Sequence, residues 1–67
     1  MKSRNLNSVI DILIAARLIG QFIEDIDKDI FESDLMLQSA VIRQLEIIGE
    51  ATRRLSQDFI AIYPQIP

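Results

Sequence analysis

The chain has no cysteine, no histidine and no tryptophan, and only two glycines and two prolines in 67 residues. Without cysteine there is no disulfide framework, no thiol nucleophile and no zinc-finger ligand set. Without histidine, the usual general base at neutral pH and the commonest metal ligand are both missing. Aromatic residues make up 6%. Phe22, Phe31, Phe59 and Tyr63 share no common helix face, so they read as core or staple residues and not as a base-stacking platform. What is abundant is apolar surface, at 49% of residues. A chain this short buries only about 60% of its unfolded surface. Unstapled, it is expected to finish its core against a second copy of itself or to be a piece of something longer.

The net charge of -3 and isoelectric point near 4.6 exclude a general nucleic-acid-coating protein, which would be basic overall. The charge is unevenly placed. Between Glu24 and Asp34 stand Glu24, Asp25, Asp27, Asp29, Glu32 and Asp34, against Lys28 alone. Between Arg43 and Arg54 three arginines face only Glu46 and Glu50, a local basic surface inside an acidic total. The apolar stretch Val9 to Ile19 is broken by Asp11 and Arg17, whereas a membrane span needs about 20 largely uncharged residues. Asp11 also spoils a signal-peptide pattern. The expectation is a cytoplasmic protein with no membrane partner.

Two segments carry helical periodicity and none carries strand alternation. The first runs from about Arg4 to Ile26. Ser8 with Asp11 fits a capping box, and Ser3 offers an earlier start. The second runs from about Asp34 to Ile62, with Asp34 or Ser33 as N-cap and Tyr63-Pro64 as its stop. Asp27 to Ser33 lacks glycine and proline, so it is expected to form a compact corner with one helical turn near Asp29 to Phe31. The fold class is therefore all-α: a single domain over residues 1–67, with two long antiparallel helices forming a hairpin.

At 100° per residue, Leu37, Val41, Leu45, Ile48, Leu55 and Phe59 fall on one meridian of the second helix, opposite a polar stripe of Ser39, Arg43, Glu46, Glu50, Arg53 and Gln57. On the first helix Val9, Ile12, Leu13, Ala16, Ile19 and Ile23 form the main face. Ile10, Ile14, Leu18 and Phe22 lie behind it. One partner helix cannot cover both sides, so the hairpin needs at least two packing surfaces and should complete a bundle by forming a homodimer or higher homo-oligomer.

Ala40-Val41-Ile42-Arg43, Leu45-Glu46-Ile47-Ile48-Gly49-Glu50-Ala51 and the closing Tyr63-Pro64-x-Ile66-Pro67 together resemble the HepT-like toxin family, a branch of the HEPN helical proteins. Asp11-Ile12-Leu13 resembles the family's first helix, and the likeness covers nearly the whole chain. The resemblance implies a toxin–antitoxin component: an all-α homodimer that cleaves RNA without a metal or other cofactor. Its implied partner is an MntA-like nucleotidyltransferase antitoxin, which in some systems adds AMP to a tyrosine of the toxin. The family's catalytic motif is an arginine followed a few residues later by a histidine, often with a tyrosine just beyond, and it lies after the Tyr-Pro-x-Ile-Pro segment. The sequence ends at Pro67 and contains no histidine. The expectation is thus the N-terminal portion of such a ribonuclease, with no catalytic residue of its own and no cleavage by this chain alone. Metal-free cleavage needs help in deprotonating a 2′-hydroxyl as well as a cation for the charged transition state, and only the cations are present.

Candidate residues follow, each beside its plainer reading. Arg43, Arg53 and Arg54 suit phosphate oxygens and are the RNA-binding candidates, although alternation with Glu46 and Glu50 is also the pattern of a solvated helix face. Glu50 either supports the catalytic arginine of a longer relative through a charge-assisted hydrogen bond or is a solvated helix-face acid that pairs on its own helix with Arg54 or the arginines neighbouring Glu46. Glu46 with Glu50 lacks the histidine of a di-iron bundle. Asp25-x-Asp27-x-Asp29 lacks the glycine and glutamate of a calcium loop; no metal site is expected. Gly49, which costs about 1 kcal/mol in a helix relative to alanine, reads as a point of close approach by a partner helix.

Overall fold

A computed structural model describes residues 3–62 of the chain. Three helices follow in order: α1 (Ser3–Ile23), α2 (Lys28–Ser33) and α3 (Leu35–Ile62). Among the described residues there is no strand. The expected stop at Tyr63-Pro64 lies outside them.

Local side-chain chemistry fixes the corner. Asp25 takes a left-handed backbone, φ 59°, a conformation that a short polar side chain tolerates better than most. The Ile26 N–H then donates to the Ile23 carbonyl at 3.1 Å. That turn ends α1 at Ile23, three residues short of the expected Ile26. Asp27 caps α2 by accepting from the Ile30 N–H at 2.8 Å. Asp34 works twice: its N–H donates to Phe31 at 3.4 Å, closing α2, and its Oδ1 accepts from the Leu37 N–H at 2.9 Å, opening α3. The Gln38 side-chain amide donates to the carbonyls of Phe31 and Glu32 at 2.9 and 3.0 Å, tying the corner to α3. A compact junction results without glycine or proline.

The long helices pack side by side in a flat hairpin of 48 × 23 × 15 Å. Ala15 and Ala51 lie at the centre of the contact, 1% and 0% exposed, so small side chains let the backbones approach closely. Leu37, Val41, Ile48 and Leu55 line the α3 side of this seam, buried or half-buried as the periodicity expects. Leu45 and Phe59 do not: they are 54% and 58% exposed, and Gly49 is exposed as well. The seam is rotated toward Ala51.

A similar rotation occurs on α1. Leu13 and Ile23, expected on the main face, are exposed, whereas Ser8 and Ala15 are buried. Ser8 sits inside the helix and does not cap it; the helix begins a turn earlier, at Ser3. By length and composition alone Arg4–Ile23 is long and apolar enough to cross a membrane, although the sequence reading set it aside for Asp11 and Arg17. Here it packs lengthwise on α3, and Asp11 has a partner there.

Candidate functional site at the open end of the hairpin

Away from the corner, the α1–α3 seam turns polar. Ser8 of α1 is 1% exposed, and its hydroxyl accepts a hydrogen bond from Arg54 Nε of α3 at 3.3 Å. The same guanidinium donates through Nη2 to Asp11 Oδ2 at 3.1 Å. One turn further out, Arg4 Nε meets Asp58 Oδ2 at 3.2 Å. Two cross-helix ion pairs therefore run in opposite senses, one arginine on each helix. Both are partly solvated, and such pairs contribute about 1 kcal/mol or less. Between them the Asn5 Oδ1 is buried without a hydrogen-bond partner, which costs roughly 1–3 kcal/mol if no donor reaches it.

This geometry separates the three arginines that the sequence grouped together. Arg54 is engaged within the fold. Arg43 and Arg53 are exposed, and neither takes part in the ion pairs found among the described residues. Glu50 is also exposed, and the plain reading that paired it with Arg54 is corrected: Arg54 points across the seam to Asp11, not along its own helix. A cleft of about 270 Å³ lined by Asp11, Ile14, Ala15, Leu18, Gln44 and Ile47 opens beside that pair. Of Arg43 and Arg53 only Arg53 lies at this end, Arg43 standing nearer the corner on α3, and the sequence offers no proton acceptor of the imidazole type. Among the described residues no cluster of three acids is placed to hold a metal ion.

Sequence reasoning missed Arg4, Asn5, Ser8 and Asp58 as members of one polar seam. A signal existed in α1, where Ser8 and Asp11 interrupt an apolar run at a spacing that puts both on one helix face. An acid retained there calls for a cation on the facing helix.

An α-helical hairpin of two long helices with a short corner helix between them, and exposed arginines along α3, defines an all-α helical scaffold. The sequence profile of the Ribonuclease HepT-like family matches residues 12–67, and the chain belongs to that family. A protein of Methanocaldococcus jannaschii named as an inferred RNase, MJ0127, is 49% identical over 57 residues, covering 85% of this chain and 47% of the relative. A second inferred RNase of that organism, MJ1380, is 41% identical across the whole chain and 62% of its own length. The "Probable ribonuclease HepT" of Thermococcus cleftensis is 42% identical across the whole chain and 61% of its own length. The chain thus spans about half to three-fifths of the length of these three relatives. No solved structure matches it.

Proposed function

We propose that this chain is the N-terminal helical portion of a HepT-like endoribonuclease toxin from a cytoplasmic toxin–antitoxin system, and that it does not cleave RNA by itself. The supporting observations are its family membership, relatives named for ribonuclease activity, and the absence of histidine from the whole sequence. The last carries the proposal. The family's arginine–histidine motif has no counterpart in this sequence, and the two carboxylates described at the polar end, Asp11 and Asp58, are each held in an ion pair with an arginine. In this reading the chain contributes the dimer scaffold, Arg43 and Arg53 offer cations to RNA, and an MntA-like nucleotidyltransferase is the antitoxin partner.

The test is direct. Purified chain is incubated with a mixed-sequence RNA, in parallel with a relative of full length. The expected result is cleavage by the longer protein and intact RNA with this chain. Cleavage by the 67-residue chain that survives repurification would overturn the proposal.

A second reading gains support from the exposed apolar residues on both long helices: a non-catalytic, self-associating module that binds an antitoxin or a full-length homologue. Excess chain mixed with a full-length relative then lowers its RNA cleavage by subunit exchange. Undiminished activity at large excess would speak against this module.

A further inference from the structure

The corner of the hairpin holds an open hollow of about 320 Å³. Ile23 and Ile26 from the end of α1 and the turn, Phe31 of α2 and Val41 of α3 are among its apolar lining, and Asp27 and Lys28 supply polar lining. Its size falls at the lower end of ligand pockets, which run from roughly 300 to 1,000 Å³. The segments that wall it are pinned. The Ile26 N–H is bonded to the Ile23 carbonyl at 3.1 Å, and Asp27 Oδ1 caps α2 through the Ile30 N–H at 2.8 Å. The Gln38 amide holds the carbonyls of Phe31 and Glu32 at 2.9 and 3.0 Å. For α2 to fold inward and fill the hollow, these bonds would have to break. The hollow is thus preformed, and an entering group meets little ordering cost from this side.

The charge around it has one sign. Glu24 and Asp25 stand in the chain between two lining residues, Ile23 and Ile26; Asp27 lines the hollow itself; Asp29, Glu32 and Asp34 follow. Lys28 is the one cation in this stretch, and its ammonium lies 3.8 Å from Glu32. Glu24, Asp25 and Asp29 are exposed, and none takes part in the ion pairs found among the described residues.

These two features together narrow the occupant. RNA phosphates would be repelled by the acids. A wholly apolar ligand would leave the carboxylates unmatched, and a small ammonium compound matches one of them where several are spread along the corner. A polypeptide segment with several lysines or arginines around one bulky apolar side chain satisfies both: the side chain enters the hollow as an anchor, and the cations meet the acids around it.

We infer that the corner is a docking site for a basic segment of another protein, anchored by one apolar side chain in the hollow formed by Ile23, Ile26, Phe31 and Val41. The site lies at the opposite end of the hairpin from Arg54 and Asp11 and goes beyond the proposed ribonuclease role, on which it does not depend.

The probe is a short, fluorescently labelled synthetic peptide of lysine and serine with one central leucine, titrated with the whole chain and followed by anisotropy. Saturable binding is expected. Replacing the peptide's leucine by alanine is expected to weaken it roughly ten-fold or more, from the apolar area no longer buried. Raising the ionic strength from about 0.1 M to about 1 M shortens the Debye length from about 10 Å to about 3 Å and is expected to weaken binding several-fold. On the protein side, Ile23→Gln changes a residue 43% exposed and should reproduce the loss seen with the alanine peptide. Glu24→Gln with Asp25→Asn removes two charges, asparagine keeping the left-handed backbone at position 25, and should lower affinity several-fold and flatten the salt dependence. Circular dichroism confirms that each variant keeps its helices. Absence of saturable binding overturns the inference. So does equal affinity for the leucine and alanine peptides, which would leave charge attraction without an anchor, or affinity indifferent to salt and to the charge variant. A singly charged alkylammonium that displaces the peptide at equal concentration would make a small amphiphile the occupant and overturn the polypeptide partner.

Discussion

Arg54 of α3 holds two groups of α1 at once, the buried Ser8 hydroxyl at 3.3 Å and the Asp11 carboxylate at 3.1 Å. The two bonds differ in consequence. Asp11 is partly solvated and can exchange its partner for water. Ser8, 1% exposed, cannot.

Arg54→Ala is therefore expected to cost more than Asp11→Ala. The first leaves a buried hydroxyl without this partner, at about 1–3 kcal/mol. The second removes one partly exposed ion pair, at about 1 kcal/mol or less. Urea unfolding of the two variants checks the order. Ser8→Ala in the Arg54→Ala background should recover part of the loss, because it removes the stranded group. Equal destabilisation by Arg54→Ala and Asp11→Ala would show that the serine bond contributes little.

Asp34 joins two helices, accepting from the first turn of α3 while its own N–H closes α2. Loss of a capping side chain costs about 0.5–2 kcal/mol, and Asp34→Ala is expected to fall in that range while leaving the backbone bond to Phe31 intact. Asp27→Ala should cost less, since it caps only a six-residue helix. Thermal melts followed by circular dichroism give the comparison. A larger loss from Asp27→Ala would mean that α2, not the start of α3, anchors the corner.

Much of this fold was legible in the sequence because periodicity and capping are local. The start of α3, the cap at Asp34 and the compact corner follow from residues that lie near one another in the chain. The face that each helix turns to its partner was not legible. Hydrophobic spacing marked wide apolar arcs on both helices, and an arc that must serve two surfaces does not say which half meets which. The choice fell to Ala15, Ala51 and Ser8, small residues whose value is close approach and not hydrophobic area. The polar seam escaped for the same reason: Asp11 and Arg54 lie 43 residues apart, and only the antiparallel register brings them together. The family's catalytic motif was legible only as a departure, since the sequence lacks the histidine it needs.

Gly49 offers a substitution whose effects on the chain and on its assembly should diverge. With open space at its Cβ position, Gly49→Ala is expected to stabilise α3 by up to about 1 kcal/mol through helix propensity. Gly49→Leu should likewise leave the isolated hairpin folded, because the position is exposed and a Cβ there meets nothing within 4 Å. At a point of close approach by a partner helix, however, leucine would force the backbones apart. Sedimentation equilibrium is expected to show weaker self-association for Gly49→Leu at unchanged helicity. An unchanged sedimentation profile would place the self-association surface elsewhere on the hairpin.

If RNA is held by this hairpin, the exposed arginines and the engaged one should behave differently. Arg43 and Arg53 have no ion pair within the described chain, so their charges are free to displace counterions from phosphates, and binding through them should weaken steeply with added salt. Arg43→Gln with Arg53→Gln is expected to lower RNA affinity and flatten its salt dependence without altering the melting temperature. Arg54→Gln should instead lower the melting temperature, with little change in the salt slope, because its charge is already matched by Asp11. Filter binding across a salt series, paired with thermal melts, separates the two effects. A salt slope that falls only with Arg54→Gln would move the phosphate contact to the Asp11–Arg54 cleft, and affinity unmoved by all three substitutions would remove RNA binding from this part of the protein.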